Sequence, residues 1–218
     1  MTKKKIILIG CGEHARMVID NLEDQGLYEL FGLTTHTAEE LDKKVCGYTV
    51  VCKDEDIPRL ISENPDIAGY VLGVGNMQVR HRLYTVLDPM LAAVNIIHPS
   101  SMISKRATLG TGNLIEAFTK IANGAKIGNH CILNSFSAVN HDQILGDNVL
   151  IAGNVSMAGR KIGSHTIIAD GASIGFKKSV GAHCIVGDGA VVTKDLPDHV
   201  IAYGNPARIV RKNGSFDV

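Results

Sequence analysis

Residues 121–156 read IANGAK-IGNHCI-LNSFSA-VNHDQI-LGDNVL-IAGNVS when they are divided into groups of six, and every group opens on a large aliphatic side chain. A fixed period is sought first in a sequence because it decides the architecture before any single element does. An α-helix repeats every 3.6 residues and an amphipathic strand every 2, so a period of six indicates neither. It indicates short strands that turn a corner once in every hexad.

The hexads extend in both directions from this stretch, and we call the aliphatic residue that opens each one its anchor. The frame slips back by one residue at Gly159-Arg160-Lys161 and then resumes. The anchors are Ile103, Leu109, Ile115, Ile121, Ile127, Leu133, Val139, Leu145, Ile151, Met157, Ile162, Ile168, Ile174, Val180, Val186 and Val192. Three hexads per coil predict a left-handed parallel β-helix of about five coils, filled by the anchors.

Two further positions of the hexad are regular. The residue after each anchor is often Gly or Ala, which we interpret as a corner that needs positive φ. The residue four places after the anchor is mostly small or β-branched, as expected for an inward side chain near a corner. The flat faces of such a prism commonly pack three chains together, so we expect a homotrimer.

The hexads stop after Val192, and the chain to Lys212 predicts a loop, a short strand and a basic helix. That helix would open at Pro206 behind an Asn205 cap. It would close the end of the β-helix as a capping segment.

Residues 1–98 predict a separate small Rossmann-like α/β domain, and residues 99–218 form the β-helix domain. The alternation of apolar runs and helical stretches predicts a parallel sheet. The predicted strands are Lys5–Ile9, Glu29–Thr34, Tyr48–Cys52, Ile67–Leu72 and Leu91–Ile97, and the predicted helices are His14–Gln25, Asp54–Glu63 and Gln78–Leu87.

Ligands of parallel sheets bind at the carboxyl ends of the strands. The turn Gly10-Cys11-Gly12 could bring a backbone and a helix N-terminus close to a phosphate. The dinucleotide fingerprint GxGxxG fails, because Ala15 stands in place of its third glycine. The second strand also ends in Thr34-Thr35 rather than an acidic residue, so an NAD-dependent dehydrogenase is discounted.

Composition excludes other classes. The chain has 218 residues with 22 basic and 22 acidic side chains, a balance that argues against nucleic-acid binding. No apolar run reaches the length of a membrane span. Five cysteines without a CxxC pair favour a reducing cytoplasm over a disulfide framework.

Several local sequences occur together with this architecture. They are Gly10-Cys-Gly-Glu-His14-Ala-Arg, Gly75-Asn76 followed by Arg80, Asn134-Ser135 leading to Val139-Asn-His141-Asp142, Ala158-Gly159 and Gly204-Asn-Pro-Ala207. With them the chain resembles, over residues 4–212, the bacterial sugar O/N-acetyltransferase family of hexapeptide-repeat transferases. Sialic acid O-acetyltransferases (NeuD) and nucleotide-4-amino-sugar N-acetyltransferases (PglD) typify that family.

The resemblance implies an N-terminal domain that holds a nucleotide-linked sugar and a trimeric β-helix that binds acetyl-CoA between subunits. It places the general base on His141 and its acidic partner on Asp142, with no metal. It places acetyl-CoA near Gly159, Leu150, Asp170 and Asp188. It assigns the nucleotide sugar to Gly10, Gly12, Glu13, His14, Thr34, Thr35, Gly75 and Asn76.

The residues around His141 support this assignment independently. Its hexad has Asn140 where other hexads have glycine and Gln143 where they have a small residue, and a break in a regular pattern at a polar cluster suggests a site. Acyl transfer to an amine needs a base, and a carboxylate at the far ring nitrogen would fix the tautomer of the imidazole. Neighbouring residues of a strand point to opposite faces, so Asp142 reaches His141 only if the pair lies at a corner. His130, His165 and His183 follow a Gly-x-His pattern that is typical of exposed corner residues.

Departures from the family pattern leave the nucleotide open. Glu13 stands where a glycine is usual, Thr34-Thr35 where an acidic pair is frequent, and Leu150 where relatives can carry a histidine. The Gly159–Ile162 segment is one residue shorter than usual.

Our leading hypothesis is an acetyl-CoA-dependent N-acetyltransferase that acts on the 4-amino group of a nucleotide-linked amino-deoxysugar. A sialic acid O-acetyltransferase is the nearest alternative. A zinc carbonic anhydrase would need three converging histidines, and a scaffold without catalysis would not depend on His141.

Overall fold

The computed structural model of the protein describes residues 3–214. These residues form two compact units that divide between His98 and Pro99. The outer limits of the predicted domains, residues 1 and 218, lie outside the described residues. Within residues 3–214, no helix is long and apolar enough to cross a membrane.

The first unit is built on a five-stranded sheet of order β3-β4-β2-β1-β5, in which only the β3–β4 pair is antiparallel. Its strands are β1 (Lys4–Ile9), β2 (Tyr28–Thr35), β3 (Lys44–Val45), β4 (Tyr48–Lys53) and β5 (Ile67–Leu72), and a short strand β6 (Ile96–Ile97) ends the unit. Its helices are α1 (Glu13–Gln25), α2 (Ile57–Glu63) and α3 (Met77–Leu87), with 3₁₀ turns at Ala38–Glu40 and Asp54–Asp56. Every residue from Ile6 to Ile9 is fully buried, as expected of a parallel strand covered on both faces.

Two elements of this unit differ from the sequence prediction. The predicted strand Leu91–Ile97 is a strand only at Ile96–Ile97. Before it, Ala93 forms a single parallel bridge to Tyr70, because the chain passes the edge of β5 at one point instead of running along it. The short strand β3 was not predicted, since two residues carry too little pattern to be recognised.

The second unit is a parallel β-helix of two-residue strands. The strands are β7 (Met102–Ile103), β8 (Thr108–Leu109), β9 (Leu114–Ile115), β10 (Lys120–Ile121), β11 (Lys126–Ile127), β12 (Ile132–Leu133), β13 (Ala138–Val139), β14 (Ile144–Leu145), β15 (Leu150–Ile151), β16 (Ser156–Met157), β17 (Lys161–Ile162), β18 (Ile167–Ile168), β19 (Ser173–Ile174), β20 (Ser179–Val180), β21 (Ile185–Val186) and β22 (Val191–Val192). From β10 to β19, each strand pairs in parallel with the third strand before it and the third after it, which gives three sheets and three strands per coil. The predicted hexads are therefore confirmed as strands and corners.

Each anchor is the second residue of its strand. From Ile115 to Val192 the anchors are buried, and they stack into the core of the β-helix. The small residues four places later are also buried, as Ala125 and Cys131 are at 0% exposure. One large and one small inward side chain per hexad thus form the core of the β-helix.

The prediction that glycine after an anchor supplies positive φ was wrong. Positive φ occurs two residues later, at the third position after the anchor, for example at His130 (φ 56°) and Asn148 (φ 52°). The glycines after the anchors are required instead by close stacking of the coils. A Cβ on Gly163 would lie 2.6 Å from the carbonyl carbon of Gly181 in the next coil and would overlap the backbone nitrogen of Ala182.

The predicted C-terminal helix is also absent from the described residues. Strand β23 (Val200–Tyr203) pairs in parallel with β21, and β24 (Arg208–Lys212) returns antiparallel to β23. The segment after Pro206 has the β-branched pair Ile209-Val210 and only a few residues before Gly214, so it is too short for a stable helix. The unpaired edge of β23 supplies hydrogen-bond partners that a helix would leave unused.

Candidate active site

His141 and Asp142 lie in the four-residue corner between β13 and β14. Asp142 has a φ of 59°, and this left-handed conformation turns its side chain back toward its neighbour. Its Oδ2 lies 2.8 Å from His141 Nδ1. The pair thus lies at a corner, which is the geometry that contact between neighbouring residues requires. When Nδ1–H donates to the carboxylate, Nε2 is the ring atom that can accept a proton.

The same corner is held by two amide side chains. Asn140 donates from Nδ2 to the Met157 carbonyl at 2.6 Å, and its backbone N–H donates to Gln143 Oε1 at 2.7 Å. Gln143 donates in turn from Nε2 to the Gly159 carbonyl at 2.9 Å and is only 3% exposed. The sequence showed these two residues as a break in the hexad, but spacing alone does not reveal which carbonyl groups they bind.

Gly159 belongs to the connection between β16 and β17, which is one residue shorter than its equivalents. The connection contains only Ala158, Gly159 and Arg160. Ala158 N–H donates to Ile174 and Arg160 N–H donates to Lys178, whereas Gly159 N–H donates to no group within the described residues. A backbone N–H without an intramolecular acceptor can stabilise a developing negative charge on a ligand.

A groove of about 900 Å³ opens along this edge of the β-helix. It is lined by Asn140, His141, Asp142, Ile144, Ala158, Gly159, Arg160, Lys161, Phe176, Lys177 and Ser179. The structure therefore brings three of the predicted site residues together: His141, Asp142 and Gly159.

The groove also holds three cations that sequence reasoning missed: Arg160, Lys161 and Lys177. Lys177 Nζ lies 5.1 Å from the ring centroid of Phe176, a side chain that is 70% exposed. Asp142 is the only acidic residue among the lining residues, so the groove as a whole favours an anionic ligand. The sequence signal was the basic pair Arg160-Lys161 at the frame slip.

The other predicted acetyl-CoA residues do not line this groove. Leu150 is half-buried in β15, a strand of a different sheet. Asp170 accepts from Gly153 N–H at 2.9 Å, so its carboxylate links two coils. Asp188 is exposed at the corner after β21.

In the first unit, the turns after β1 and β5 come together. These strands are neighbours in the sheet, and the Cβ of a residue in place of Gly10 would meet Val74 at 2.7 Å. His14, in the first turn of α1, packs against Gly75. Asn76 caps α3, and its Oδ1 accepts from the N–H groups of Gln78 and Val79 at 3.0 Å.

Helix α1 begins at Glu13, and Gly12 at its N-cap offers no side chain to the first N–H groups. His14 Nε2 is buried and makes no hydrogen bond within residues 3–214. Burial, and after it the positive charge of Arg80, lowers the pKa of His14 from 6.5 to about 4. His14 is therefore neutral near pH 7.

Thr34 and Thr35 are buried beneath these turns. Thr34 Oγ1 accepts from Gly10 N–H at 3.2 Å and donates to Asp54 Oδ1 at 2.5 Å. Thr35 Oγ1 accepts from Thr37 N–H at 3.2 Å. Both hydroxyls are thus engaged within the protein, and that of Thr34 supports the Gly10 turn.

A different corner of the β-helix carries the remaining histidines. The rings of His165 and His183 stack at 4.8 Å, and those of His183 and His199 at 4.5 Å. His130 is 1% exposed, and His165 and His183 are half-buried, so the predicted exposure of these three corner residues was wrong. In the described residues there is no group of three or more His, Cys, Asp or Glu side chains that could hold a metal ion.

Comparison with known proteins finds one matching family model and several similar solved structures. Residues 5–87 match the family model described as the PglD N-terminal domain. A histidine-to-alanine mutant of GDP-perosamine N-acetyltransferase from Caulobacter crescentus, solved with CoA and GDP-perosamine, superimposes with a TM-score of 0.88 at 29% identity, over 95% of this chain and 97% of that one. PerB from Caulobacter crescentus, in complex with the same two compounds, has a TM-score of 0.87 at 30% identity with the same coverage.

The acetyltransferase domain of PglB from Neisseria gonorrhoeae, in complex with acetyl coenzyme A, has a TM-score of 0.87 at 25% identity, over 96% of this chain and 100% of that one. No curated protein sequence matches the chain. The structural likeness therefore extends over both units.

Proposed function

The chain belongs to the bacterial sugar N-acetyltransferases of the hexapeptide-repeat type, and from this premise we propose its reaction and the residues that perform it. The protein transfers acetyl from acetyl-CoA to the 4-amino group of a nucleotide-linked amino-deoxysugar. The observation that carries this proposal is the His141–Asp142 pair, held at 2.8 Å in a groove that also presents Gly159.

His141 acts as the general base. The sugar nitrogen attacks the thioester carbonyl carbon, and as the C–N bond forms, His141 Nε2 accepts a proton from the amine. Asp142 holds the Nδ1–H tautomer and stabilises the imidazolium that forms. His141 and Asp142 have 75% and 79% of their side-chain surfaces exposed, which leaves Nε2 accessible to an acceptor.

Gly159 supports the same step from the other side. Its N–H donates to the oxyanion that develops on the thioester oxygen. Collapse of the tetrahedral intermediate breaks the C–S bond, and the proton held by His141 passes to the departing sulfur. The products are the acetamido sugar and free CoA thiol, and the base is regenerated.

The cations of the groove serve the co-substrate. Acetyl-CoA carries a diphosphate and a 3′-phosphate, and Arg160, Lys161 and Lys177 supply positive charge beside the thioester position. Leu150, Asp170 and Asp188 stay part of the proposal on the strength of the family resemblance. They would contact acetyl-CoA in an assembly whose neighbouring subunit completes the site.

That assembly is a homotrimer of left-handed β-helices in this proposal. The period of six and the positive φ at most corners, as at His130 and Asn148, support the left-handed winding. Light scattering tests the assembly: a trimer has a mass near three times 23.3 kDa. A monomeric active enzyme would contradict a site shared between subunits.

The first unit holds the nucleotide sugar. The uncapped start of α1 after Gly12 presents N–H groups to a phosphate, as helix N-termini do in general. The neighbouring His14, Gly75 and Asn76 border the same turns, and Glu13 flanks them. Thr34 contributes by supporting the Gly10 turn, and Thr35 stays part of the proposal on the strength of the family resemblance. Both substrates are cytoplasmic metabolites, so we place the protein in the cytoplasm.

The experiment is release of CoA thiol from acetyl-CoA against a panel of acceptors: GDP-, UDP- and dTDP-linked 4-amino sugars, and free and CMP-linked sialic acid. We expect rapid release with one amino sugar, with the GDP-linked compound first in rank because two similar structures contain GDP-perosamine. Release with sialic acid alone would favour O-acetyl transfer. Absence of release and of acetyl-CoA binding would favour a scaffold.

A further inference from the structure

We infer that Gln143 is a positioning residue that couples the His141 corner to the Gly159 connection, an inference that rests on the proposed function. The starting observation is the frame slip. Lys126 of β11 pairs with Ile144, 18 residues later, but Ile144 pairs with Lys161, 17 residues later. One residue is therefore missing from the corner that follows β16.

The missing residue leaves an inward position unfilled. In the two coils before the slip, the residue that precedes the strand at this corner points inward, and Ala125 and Gln143 are 0% and 3% exposed there. Its counterpart after the slip is Arg160, whose side chain is exposed. From the coil above, Ile174 Cγ2 would lie 2.8 Å from a Cβ on Gly159. From the coil below, Gln143 approaches this inward position.

Gln143 occupies this inward position, and its side chain makes a longer version of a hydrogen bond between coils that recurs elsewhere in the β-helix. Thr166 Oγ1 donates at 2.8 Å to the carbonyl of Gly181, the residue directly after the next anchor. Thr119 Oγ1 donates in the same way to Asn134 at 3.2 Å. At the slip the accepting carbonyl is that of Gly159, one residue further along, and the longer glutamine side chain reaches it at 2.9 Å.

The carbonyl oxygen of the Gln143 amide bonds the corner that carries the base. Gln143 Oε1 accepts from the backbone N–H of Asn140, the residue directly before His141, at 2.7 Å. One buried side chain thus fixes the Val139–Asn140 peptide, at the start of the His141 corner, and the carbonyl of Gly159, which lines the groove. A shift of about 1 Å between a base and an oxyanion donor is enough to lower turnover up to about a hundredfold.

The test compares three variants in the full chain. Gln143→Leu keeps the volume and removes both hydrogen bonds, and we expect kcat to fall at least about tenfold with the KM for the nucleotide sugar little changed. Gln143→Glu keeps the acceptor for Asn140 N–H, and only its protonated form can donate to Gly159. Its activity relative to wild type should therefore rise as the pH falls. Thr166→Val removes the equivalent bond at another corner and should keep wild-type kcat.

Each result decides the inference. If Gln143→Leu and Thr166→Val lose activity equally, in proportion to their melting temperatures, Gln143 has only a structural role. If Gln143→Leu does not fold, the pH dependence of Gln143→Glu decides: a ratio that does not change with pH overturns the positioning role. If wild type is active and Gln143→Leu is equally active, only this inference is overturned. If wild type is inactive on the whole panel of acceptors, the proposed function is overturned.

Discussion

The carboxylate of Asp142 lies where a side chain on Gly124 would lie: a Cβ on this glycine, one coil below, would overlap Asp142 Oδ1. Gly124 also has a φ of 72°, a conformation that L-residues with a Cβ rarely adopt. A glycine that the hexad pattern assigns to an ordinary corner thus provides the space in which the partner of His141 is held.

Gly124→Ala should displace the Asp142 carboxylate and lower kcat up to about a hundredfold while the protein still folds. Steady-state acetyl transfer, with circular dichroism to confirm folding, measures this. Gly47→Ala is the control, because Gly47 has a φ of 88° with no atom within 4 Å of an added Cβ. It imposes a similar backbone strain without touching Asp142, and equal losses in both variants would contradict the space requirement.

His141→Asn should lower kcat by about 10²- to 10⁴-fold, the contribution of a positioned general base. Thermal unfolding should change little, because 75% of the side-chain surface of His141 is exposed. Asp142→Asn should lower kcat less than His141→Asn does. Near-normal turnover of His141→Asn would remove this residue from the mechanism.

Stability should fall as the pH is lowered from about 6.5 to about 4, through His14. Burial lowers the pKa of the folded-state imidazole from 6.5 to about 4, so the unfolded state binds the proton more tightly in that range. Between pH 7 and pH 5 this contribution amounts to about 2 kcal/mol, an upper value because the group is partly exposed. Urea unfolding of wild type and His14→Leu at both pH values measures it, and parallel pH profiles would refute the assignment.

Gly163→Ala should destabilise the β-helix by about 3 kcal/mol or prevent folding, because the added methyl group meets the backbone of Ala182 rather than a flexible side chain. The control is Gly12→Ala, since Gly12 has a φ of −75° and nothing within 4 Å of an added Cβ. Thermal unfolding distinguishes the two. A tolerated Gly163→Ala would show that the coils can move apart.

The period of six predicted the strands and the core because one physical rule applies at every hexad: the anchor points inward. What each glycine does could not be predicted in the same way. The glycines after the anchors have ordinary φ, and the need for them comes from the next coil, about 18 residues away in sequence. Only a three-dimensional stack shows that Gly163 faces the backbone of Ala182.

The candidate site was predicted where the pattern is broken. His141 and Asp142 interrupt their hexad, and the corner geometry needed for their contact follows from strand alternation. Arg160, Lys161 and Lys177 could not be assigned to the same groove, because charged residues occur at many exposed positions and only the stacking of successive coils brings these three beside His141. The C-terminal strand β24 was missed because its partner is an edge that no local pattern reveals.

That last strand has a consequence for solubility. The final coil of a parallel β-helix exposes a row of unpaired backbone groups, which can template the addition of further strands and so lead to aggregation. Strand β24 covers this row on one sheet by pairing with β23, and it presents Arg208, Arg211 and Lys212 along the new edge. Desolvating three cations is costly, so the edge repels further strands. We therefore expect a chain truncated before Arg208 to retain its coils but to form ordered aggregates at concentrations where the full chain stays dispersed.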